Sequence, residues 1–348
     1  LFAVDETSLR SLVRFETQKM AGVARSIPID LKGRFHFDDG FTEHFGFKDG
    51  ISQPLIEGAP SRNDPDRSDE MQARISLVKP GEFLLGYLNE RKERVGKRHG
   101  KKGNRADVKR DLRLNGTYLV FRQLEQDVAA FDAFVSNLAE CLCETKDWVR
   151  ARLMGRAPDG KPLIHTDATG SGALNNFLYH YEDQDGLVCP IGAHVRRANP
   201  RDSLGPDPDT ALHLSKMHRI IRRGRPYGNR WEPGQAQQIG ESRGMLFIAL
   251  NADIAGQFEM IQHSWLNNPH FSGLYTGTDP ISHFDDGGMF LIQQRPMNLH
   301  IKREQPFVRV RGGAYFFLPG IQALRDIAES LPDGPGRATS AHSLPVMS

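Results

Sequence analysis

The order of the strongest helix and strand signals constrains the fold of this chain more than any other feature. Residues 115–124, NGTYLVFRQL, predict a strand after an Asn-Gly turn, and residues 243–254 predict another. Residues 307–320 predict two short strands on either side of a Gly-Gly break. A long helix is predicted after the first strand, with one apolar face formed by Val128, Phe131, Phe134, Val135, Leu138 and Leu142. Strands and helices that mix without regular alternation favour an α+β fold over a doubly wound sheet.

Weaker signals complete this prediction. Apolar residues at helical spacing predict a helix within residues 5–25, and GEFLLGYL, residues 81–88, predicts a buried strand. Residues 61–70 are expected to form an exposed loop, and the tail after Asp333 is expected to be loose because it is rich in Gly, Pro and Ser.

Composition excludes several classes of protein. With 348 residues, 39% hydrophobic and 25% charged, the chain is expected to be a globular protein with a sizeable core. A formal net charge of +2 gives no argument for a nucleic-acid partner, and the longest apolar runs are too short to predict a membrane span. Residues 91–113 are strongly basic, but no aromatics are interleaved for base stacking. A solvated insertion is therefore favoured there over a polyanion-binding patch.

The cysteines suggest a compartment. Cys141, Cys143 and Cys189 are too few for a disulfide framework, and their spacing does not match a zinc site. A cytoplasmic location is the resulting expectation. The sequence leaves an oligomer open.

The segment HFGFKDGISQP, residues 44–54, places Asp49 between Gly46 and Gly50 and beside aromatic residues. Glycines allow a tight turn and a close approach of the backbone to a flat ligand. When the segment is considered alone, an ordinary Asp-Gly turn, which is very common, is the favoured explanation.

Two further segments are rich in arginine, and one of them also carries a histidine. In CPIGAHVRRANPRD, residues 189–202, His194 follows small residues and precedes three arginines, and a neutral imidazole is a good iron ligand. A core histidine beside a salt-bridge cluster is the competing interpretation. In MHRIIRRGRPYG, residues 217–228, four arginines surround an apolar Ile-Ile pair, which indicates that at least one arginine points with the isoleucines or into a cleft. The competing interpretation is a basic strand edge, which resists aggregation.

Together these segments resemble the dye-decolourising peroxidases, in family order, from about Phe45 to Pro319. FGFKDGISQP resembles the family's GxxDG signature, CPIGAHVRRANPRD its proximal-histidine segment and HRIIRRGRPYG its distal-arginine segment. The insertions at 57–75 and 90–115 resemble the larger, insertion-rich subgroups.

The resemblance implies two ferredoxin-like halves, each an antiparallel sheet with peripheral helices, and haem between sheet and helices. We expect an N-terminal half over 1–110, a C-terminal haem-binding half over 111–330, and a loose tail over 331–348. Because family members usually carry more strands before GxxDG, the first half is expected to be truncated or abbreviated.

The resemblance also implies a function. The chain would bind haem b and use hydrogen peroxide to oxidise dyes and phenolic compounds through a ferryl intermediate. Because an unperturbed aspartic acid titrates near ~3.9, an acidic pH optimum is expected. The competing function is a haem-handling protein for storage, delivery or iron removal, which would not need an acid–arginine pair.

Roles for particular residues follow from the same resemblance. His194 would be the axial iron ligand, Asp49 the acid–base group, and Arg222 the cation that stabilises developing charge. The remaining expectations are a haem propionate near Arg197, a distal wall from Phe247 with Met245, and an acid behind His194 at or near Glu304.

Overall fold

The computed structural model describes residues 5–21, 42–59, 70–95, 111–164, 172–232, 242–283 and 287–330. Its strands are β1 Leu55–Ile56, β2 Leu77–Val78, β3 Thr117–Gln126, β4 Ile221–Arg222, β5 Arg225–Tyr227, β6 Gly244–Asn251, β7 Met289–Ile292, β8 Leu299–Lys302 and β9 Val308–Leu318. Its α-helices are α1 Glu6–Lys19, α2 Glu70–Ser76, α3 Val128–Leu142, α4 Lys146–Met154, α5 His194–Ala198, α6 Pro208–Lys216 and α7 Ile321–Ser330. Two π-helical segments follow β6, Ala255–Glu259 and Ile261–Leu266.

The main sheet is antiparallel and has β3 and β6 at its centre. Its strand order is β4-β6-β3-β9, and β5 also pairs with β6. The strands predicted at 115–124 and 243–254 are therefore confirmed as β3 and β6. The α+β class is confirmed as well, because antiparallel sheets and separate helices make up the described chain.

Strand β9 corrects the prediction of two short strands. It runs without interruption past Gly312 and Gly313, and the pairing with β3 skips Arg311, which is the extra residue of a β-bulge. A side chain at Gly313 would place its Cβ 2.6 Å from the carbonyl oxygen of Phe121. The glycine therefore permits close strand pairing instead of ending the strand.

Residues 81–88 form turns, so the strand predicted there is wrong. A 3-10 turn spans Pro80–Glu82, and the amides of Phe83 and Leu84 both donate to the carbonyl oxygen of Pro80. Turn bonds and bonds to separate segments, such as the one from the amide of Leu85 to the carbonyl oxygen of Gly116, thus satisfy the backbone without a strand ladder. Phe83 and Leu85 are nevertheless buried, which the apolar pattern had indicated.

The principal core forms where helix α3 meets the segment that contains Asp49. Val128, Phe131 and Val135 of α3 are buried, and the ring centroids of Phe131 and Phe45 lie 4.4 Å apart. Phe47 belongs to the same cluster. Asp127 begins the helix by accepting a hydrogen bond from the amide of Ala130. The predicted apolar face of α3 therefore packs against Phe45 and Phe47, the two aromatic residues that precede Asp49.

The predicted N-terminal half shows less regular structure. Between residues 42 and 95, the sheet that the structure describes is the parallel pair β1–β2, and helix α1 buries none of its residues. The domain boundaries at 110 and 330 stay predictions. The tail 331–348, the loop 61–69 and most of the basic segment, 96–110, lie outside the described residues. No helix in the described ranges has both the length and the hydropathy to cross a membrane.

Glu82 is a buried acid that joins two segments of the fold. Its carboxylate accepts a hydrogen bond from the amide of Glu90, and its main-chain oxygen accepts from Ala252 and from the side chain of Gln257. Burial, supported by the nearby charges of Glu90 and Asp253, raises the pKa of Glu82 from 4.5 to about 7.

The pKa of Glu82 predicts a pH-dependent stability. The folded chain holds a proton that the unfolded chain releases near pH 4.5, so the free energy of unfolding should fall as pH rises from about 4.5 to about 7. Glu82→Gln removes the ionisation, and we expect it to raise stability at pH 8 by about 1–3 kcal/mol relative to the parent, with little change near pH 4.5. Urea unfolding at both pH values measures this, with exposed Glu57→Gln as the control. An equal effect at both pH values would contradict the prediction.

Candidate functional site

The three segments singled out in the sequence meet at one cavity of about 310 Å³. Asp49, His194 and Arg222 all line it, although they lie on a loop, a short helix and a sheet edge. Most of the remaining wall is apolar. It includes Phe45, Phe47, Leu124, Met245, Phe247, Phe258, Ile261, Leu266 and Ile281. Met245 and Phe247, which share one face of β6, both line the cavity, and their role as a distal wall stays a prediction.

Small residues let helix α4 approach the segment that carries His194. The helix ends at Gly155, which has a positive φ of 90°. A Cβ at Gly155 would lie 3.3 Å from both the Cβ of Ala193 and the Sγ of Cys189. Helix α5 begins at His194 directly after Ala193, so the imidazole is placed by a tightly packed main chain.

His194 is held by a buried carboxylate. Its Nδ1 lies 2.8 Å from Oδ2 of Asp279, which is fully buried. The other carboxylate oxygen, Oδ1, accepts hydrogen bonds from the amides of Ile281 and Ser282 and from the Ser282 hydroxyl. With Nδ1 bonded to Asp279, Nε2 is the ring nitrogen left to bind a ligand.

The pKa shifts of this pair agree with its geometry. Burial alone would raise the pKa of Asp279, but the charge and hydrogen bond of His194 outweigh it and lower that pKa to about 2. Burial alone would lower the pKa of His194, but the Asp279 carboxylate raises it. Asp279 is therefore a fixed negative charge behind the imidazole.

Glu304 is not the acid behind His194, as the sequence had suggested. Its side chain is exposed just after β8, whereas the neighbouring Arg303 turns inward and donates to the main-chain oxygen of His283. The acid is Asp279, in the sequence Asp-Pro-Ile-Ser. An aspartate whose carboxylate accepts from the amides two and three residues later is a common turn. That signal was present in the sequence but is too frequent to identify the partner of a histidine.

Asp49 and Arg222 form an ion pair at the cavity, 173 residues apart in sequence. Nη1 of Arg222 lies 3.2 Å from Oδ1 of Asp49, and the two side chains are 35% and 19% exposed. Gly46 and Gly50, on either side of Asp49, have φ values of 92° and 79°, so the tight turn requires glycine. A Cβ at Gly224 would lie 3.6 Å from Oδ2 of Asp49, so glycine leaves space beside the carboxylate.

Arg197 does not face the cavity, contrary to the expectation that it lies near a propionate. Its buried guanidinium donates to the main-chain oxygens of Gly192, Trp265, Asn268 and Gly277. These bonds direct its donors to main-chain oxygens, and Arg197 is absent from the described cavity wall. Within the described cavity wall, the arginines are Arg122, Arg156, Arg219 and Arg222.

Sequence reasoning missed three of these cavity groups. Arg156 donates to the side chain of Asn175 and to main-chain oxygens, and burial lowers its pKa to about 10. Arg219 is buried beside Arg222, and its pKa is also lowered to about 10, first by burial. Glu43 accepts from the amides of Phe45 and Phe47, and burial raises its pKa. Arg219 belongs to the arginine-rich segment 217–228, but that pattern does not say which of its arginines reach the cavity. Arg156 and Glu43 lie outside the three segments singled out in the sequence, which carried little signal for them.

Comparisons with known proteins found similar peroxidases. No family model matches the chain. It is 35% identical to the multifunctional dye peroxidase DyP2 of Amycolatopsis sp. over 82% of this chain and 61% of that protein. The crystal structure of a DyP-type peroxidase from Anabaena sp. matches with a TM-score of 0.71 and 27% identity, over 92% of this chain and 65% of that one. A dye-decolorizing peroxidase in complex with 2,6-dimethoxyphenol matches with a TM-score of 0.68 and 27% identity, over 90% of this chain and 70% of that one.

The chain spans about three fifths of the length of the curated relatives that it matches. The matched regions cover 82–90% of this chain. The chain belongs to the dye-decolourising peroxidase family.

Proposed function

We propose that this chain is the haem-binding part of a peroxidase that uses hydrogen peroxide to oxidise dyes and phenolic compounds. The observation that carries the proposal is the convergence on one cavity of a carboxylate-backed histidine, His194, and an acid–arginine pair, Asp49 and Arg222. A site that only stored or delivered haem would need the histidine and the cavity but not the pair.

The residues of the cavity suit haem b. Nε2 of His194 is the free ring nitrogen, and Asp279 on Nδ1 is the arrangement that metal-ligating histidines commonly have. The apolar wall suits a flat macrocycle, and the buried guanidinium groups of Arg156 and Arg219 suit its two carboxylates. When bound, haem would supply the iron that peroxide oxidises by two electrons.

Asp49 is the group we propose to move the proton of peroxide. A carboxylate that accepts a proton from one peroxide oxygen and returns it to the other serves as base and then as acid. The loop keeps this carboxylate at the cavity: the amide of Gly50 donates to Oδ1 of Asp49 at 2.6 Å. Oδ2 of Asp49 lies 3.6 Å from the position that a Cβ at Gly224 would occupy, so the glycine adds no side chain beside it.

Arg222 would stabilise the negative charge that develops as the oxygen–oxygen bond breaks. A positioned cation in a largely apolar cavity acts more strongly than it would in water. Arg222 also contacts Asp49, so the guanidinium and the carboxylate would face the same peroxide molecule.

The reductants are proposed from the family and from the cavity. The relatives are named as dye peroxidases, and one solved relative is in complex with 2,6-dimethoxyphenol. Two successive one-electron oxidations of a phenol or dye would return the site to its resting state.

The role of His194 predicts the behaviour of the bound cofactor. We expect His194→Ala to weaken haem binding at least about tenfold, because the nitrogen that would bind the iron is lost. The cavity would then retain only its apolar wall and the arginines that would pair with the carboxylates of haem. Haemin titration followed by the Soret band measures this. His213→Ala, an exposed histidine beside Glu90, is the control. A normal Soret band at full occupancy in His194→Ala would refute the axial assignment.

The role of Asp49 predicts the rate of the peroxide step. We expect Asp49→Asn to slow the reaction with peroxide by about 10²–10⁴-fold, since an amide cannot take up the proton. Stopped-flow recording of the Soret change measures the rate. Asp159→Asn, on the neighbouring loop and paired with Lys161, should leave it unchanged.

Dye oxidation by the parent chain should be fastest below neutral pH, because carboxyl groups exchange protons at lower pH than imidazoles. An optimum above neutrality that persists in Asp49→Asn would contradict the assignment. Haem binding with no spectral response of the parent chain to peroxide would favour the haem-handling function instead.

A further inference from the structure

Gln53 bonds both main-chain groups of the arginine that pairs with Asp49. Its Oε1 accepts a hydrogen bond from the amide of Arg222 at 3.1 Å, and its Nε2 donates to the carbonyl oxygen of Arg222 at 2.9 Å. Gln53 belongs to the same loop as Asp49. The loop therefore contacts Arg222 twice, once through the Asp49 side chain and once through the Gln53 amide.

The main chain of Arg222 is open to this contact because β4 is an edge strand. Arg222 lies opposite Ala249 of β6, while the amide of the next residue, Arg223, donates to the carbonyl oxygen of Ile248 at 2.8 Å. In an antiparallel ladder, alternate residues direct both main-chain groups away from the partner strand. Those of Arg222 point to the loop, where the Gln53 amide takes the place of a neighbouring strand.

Other bonds hold the two residues before Gln53. Nδ2 of Asn175 donates to the carbonyl oxygen of Ile51 at 2.8 Å, and Nη2 of Arg219 lies 3.4 Å from that of Ser52. These bonds attach the loop to its surroundings. The two hydrogen bonds of Gln53 attach the loop to Arg222.

The Asp49–Arg222 ion pair needs such support. Both side chains are partly exposed, and a partly exposed ion pair contributes little free energy to hold its own geometry. We propose that Gln53 is a positioning residue that sets the separation between the Asp49 carboxylate and the Arg222 guanidinium. Gln53 itself is not among the described residues that line the cavity, so it acts through Arg222. The expected effect on peroxide rests on the proposed function, whereas the effect on structure does not.

Gln53→Leu removes both hydrogen bonds at similar volume. We expect the amide of Arg222 to exchange at least about tenfold faster, measured by hydrogen–deuterium exchange resolved to the residue. A crystal structure of the variant should show Nη1 and Oδ1 beyond hydrogen-bonding distance. In the haem-loaded chain the reaction with peroxide should slow by about 10–100-fold, because small displacements of catalytic groups are costly. Gln322→Leu, on the surface of α7, is the control and should change none of these.

Gln53→Glu gives a second, pH-dependent test. A protonated carboxyl can accept from the Arg222 amide and donate to its carbonyl oxygen, as glutamine does. An ionised one cannot donate and faces that oxygen with a like charge. We expect this variant to react with peroxide like the parent at low pH and to fall toward the leucine variant as pH rises. A residue that merely stabilised the fold would not produce this profile.

The outcomes separate the two proposals. Unchanged exchange at Arg222 and an unchanged ion-pair distance in Gln53→Leu would overturn the role of Gln53, whatever the activity. Altered geometry with an unaltered peroxide rate would support the role of Gln53 in setting the separation and would overturn the expected effect on peroxide. If the parent chain itself fails to react with peroxide, the proposed function falls, and the exchange and the crystal structure still decide whether Gln53 sets the pair. If Gln53→Leu does not fold, hydrogen–deuterium exchange at the Arg222 amide in Gln53→Glu, measured against pH and compared with the parent, decides whether Gln53 sets the separation.

Discussion

The hydrogen bond between His194 and Asp279 is the interaction on which the rest of the site depends. It buries a carboxylate completely, which is costly unless the charge is paired and hydrogen-bonded. The two amides and the hydroxyl that converge on Oδ1 meet this requirement, so the carboxylate has one orientation. That orientation fixes the rotation of the imidazole and determines which ring nitrogen faces the cavity.

The fold serves to bring this pair and the Asp49–Arg222 pair to the same cavity. Strand β6 connects the two regions, since its edge partner β4 carries Arg222 and the second π-helical segment after it, Ile261–Leu266, lies against helix α5. The aromatics before Asp49 pack into the core beside α3, which anchors the start of the loop. Each half of the site is thus held by a different part of the core, and the cavity is the space between them.

The sequence predicted the parts of this structure that depend on local pattern. Strands β3 and β6 and the apolar face of α3 followed from periodicity, and Asp49, His194 and Arg222 followed from motifs. What it missed depends on pairing between distant segments. Strand β9 continues through two glycines because β3 approaches it closely, and a local reading of Gly-Gly could only indicate a break. Likewise, the choice between Glu304 and Asp279 depends on which carboxylate is buried, and sequence spacing does not determine burial.

Arg197 belongs to the sequence segment that carries His194, but its role is to join main-chain segments and not to face the cavity. Its planar guanidinium bonds carbonyl oxygens from the turn before helix α5, the end of the π-helical region and the loop before β7. It therefore works as a non-covalent cross-link among three chain segments around the base of the histidine helix. A lysine would keep the positive charge but has a single nitrogen without this fork, so it could not join the three segments at once. The geometry of the donor group, more than its charge, is what this position requires.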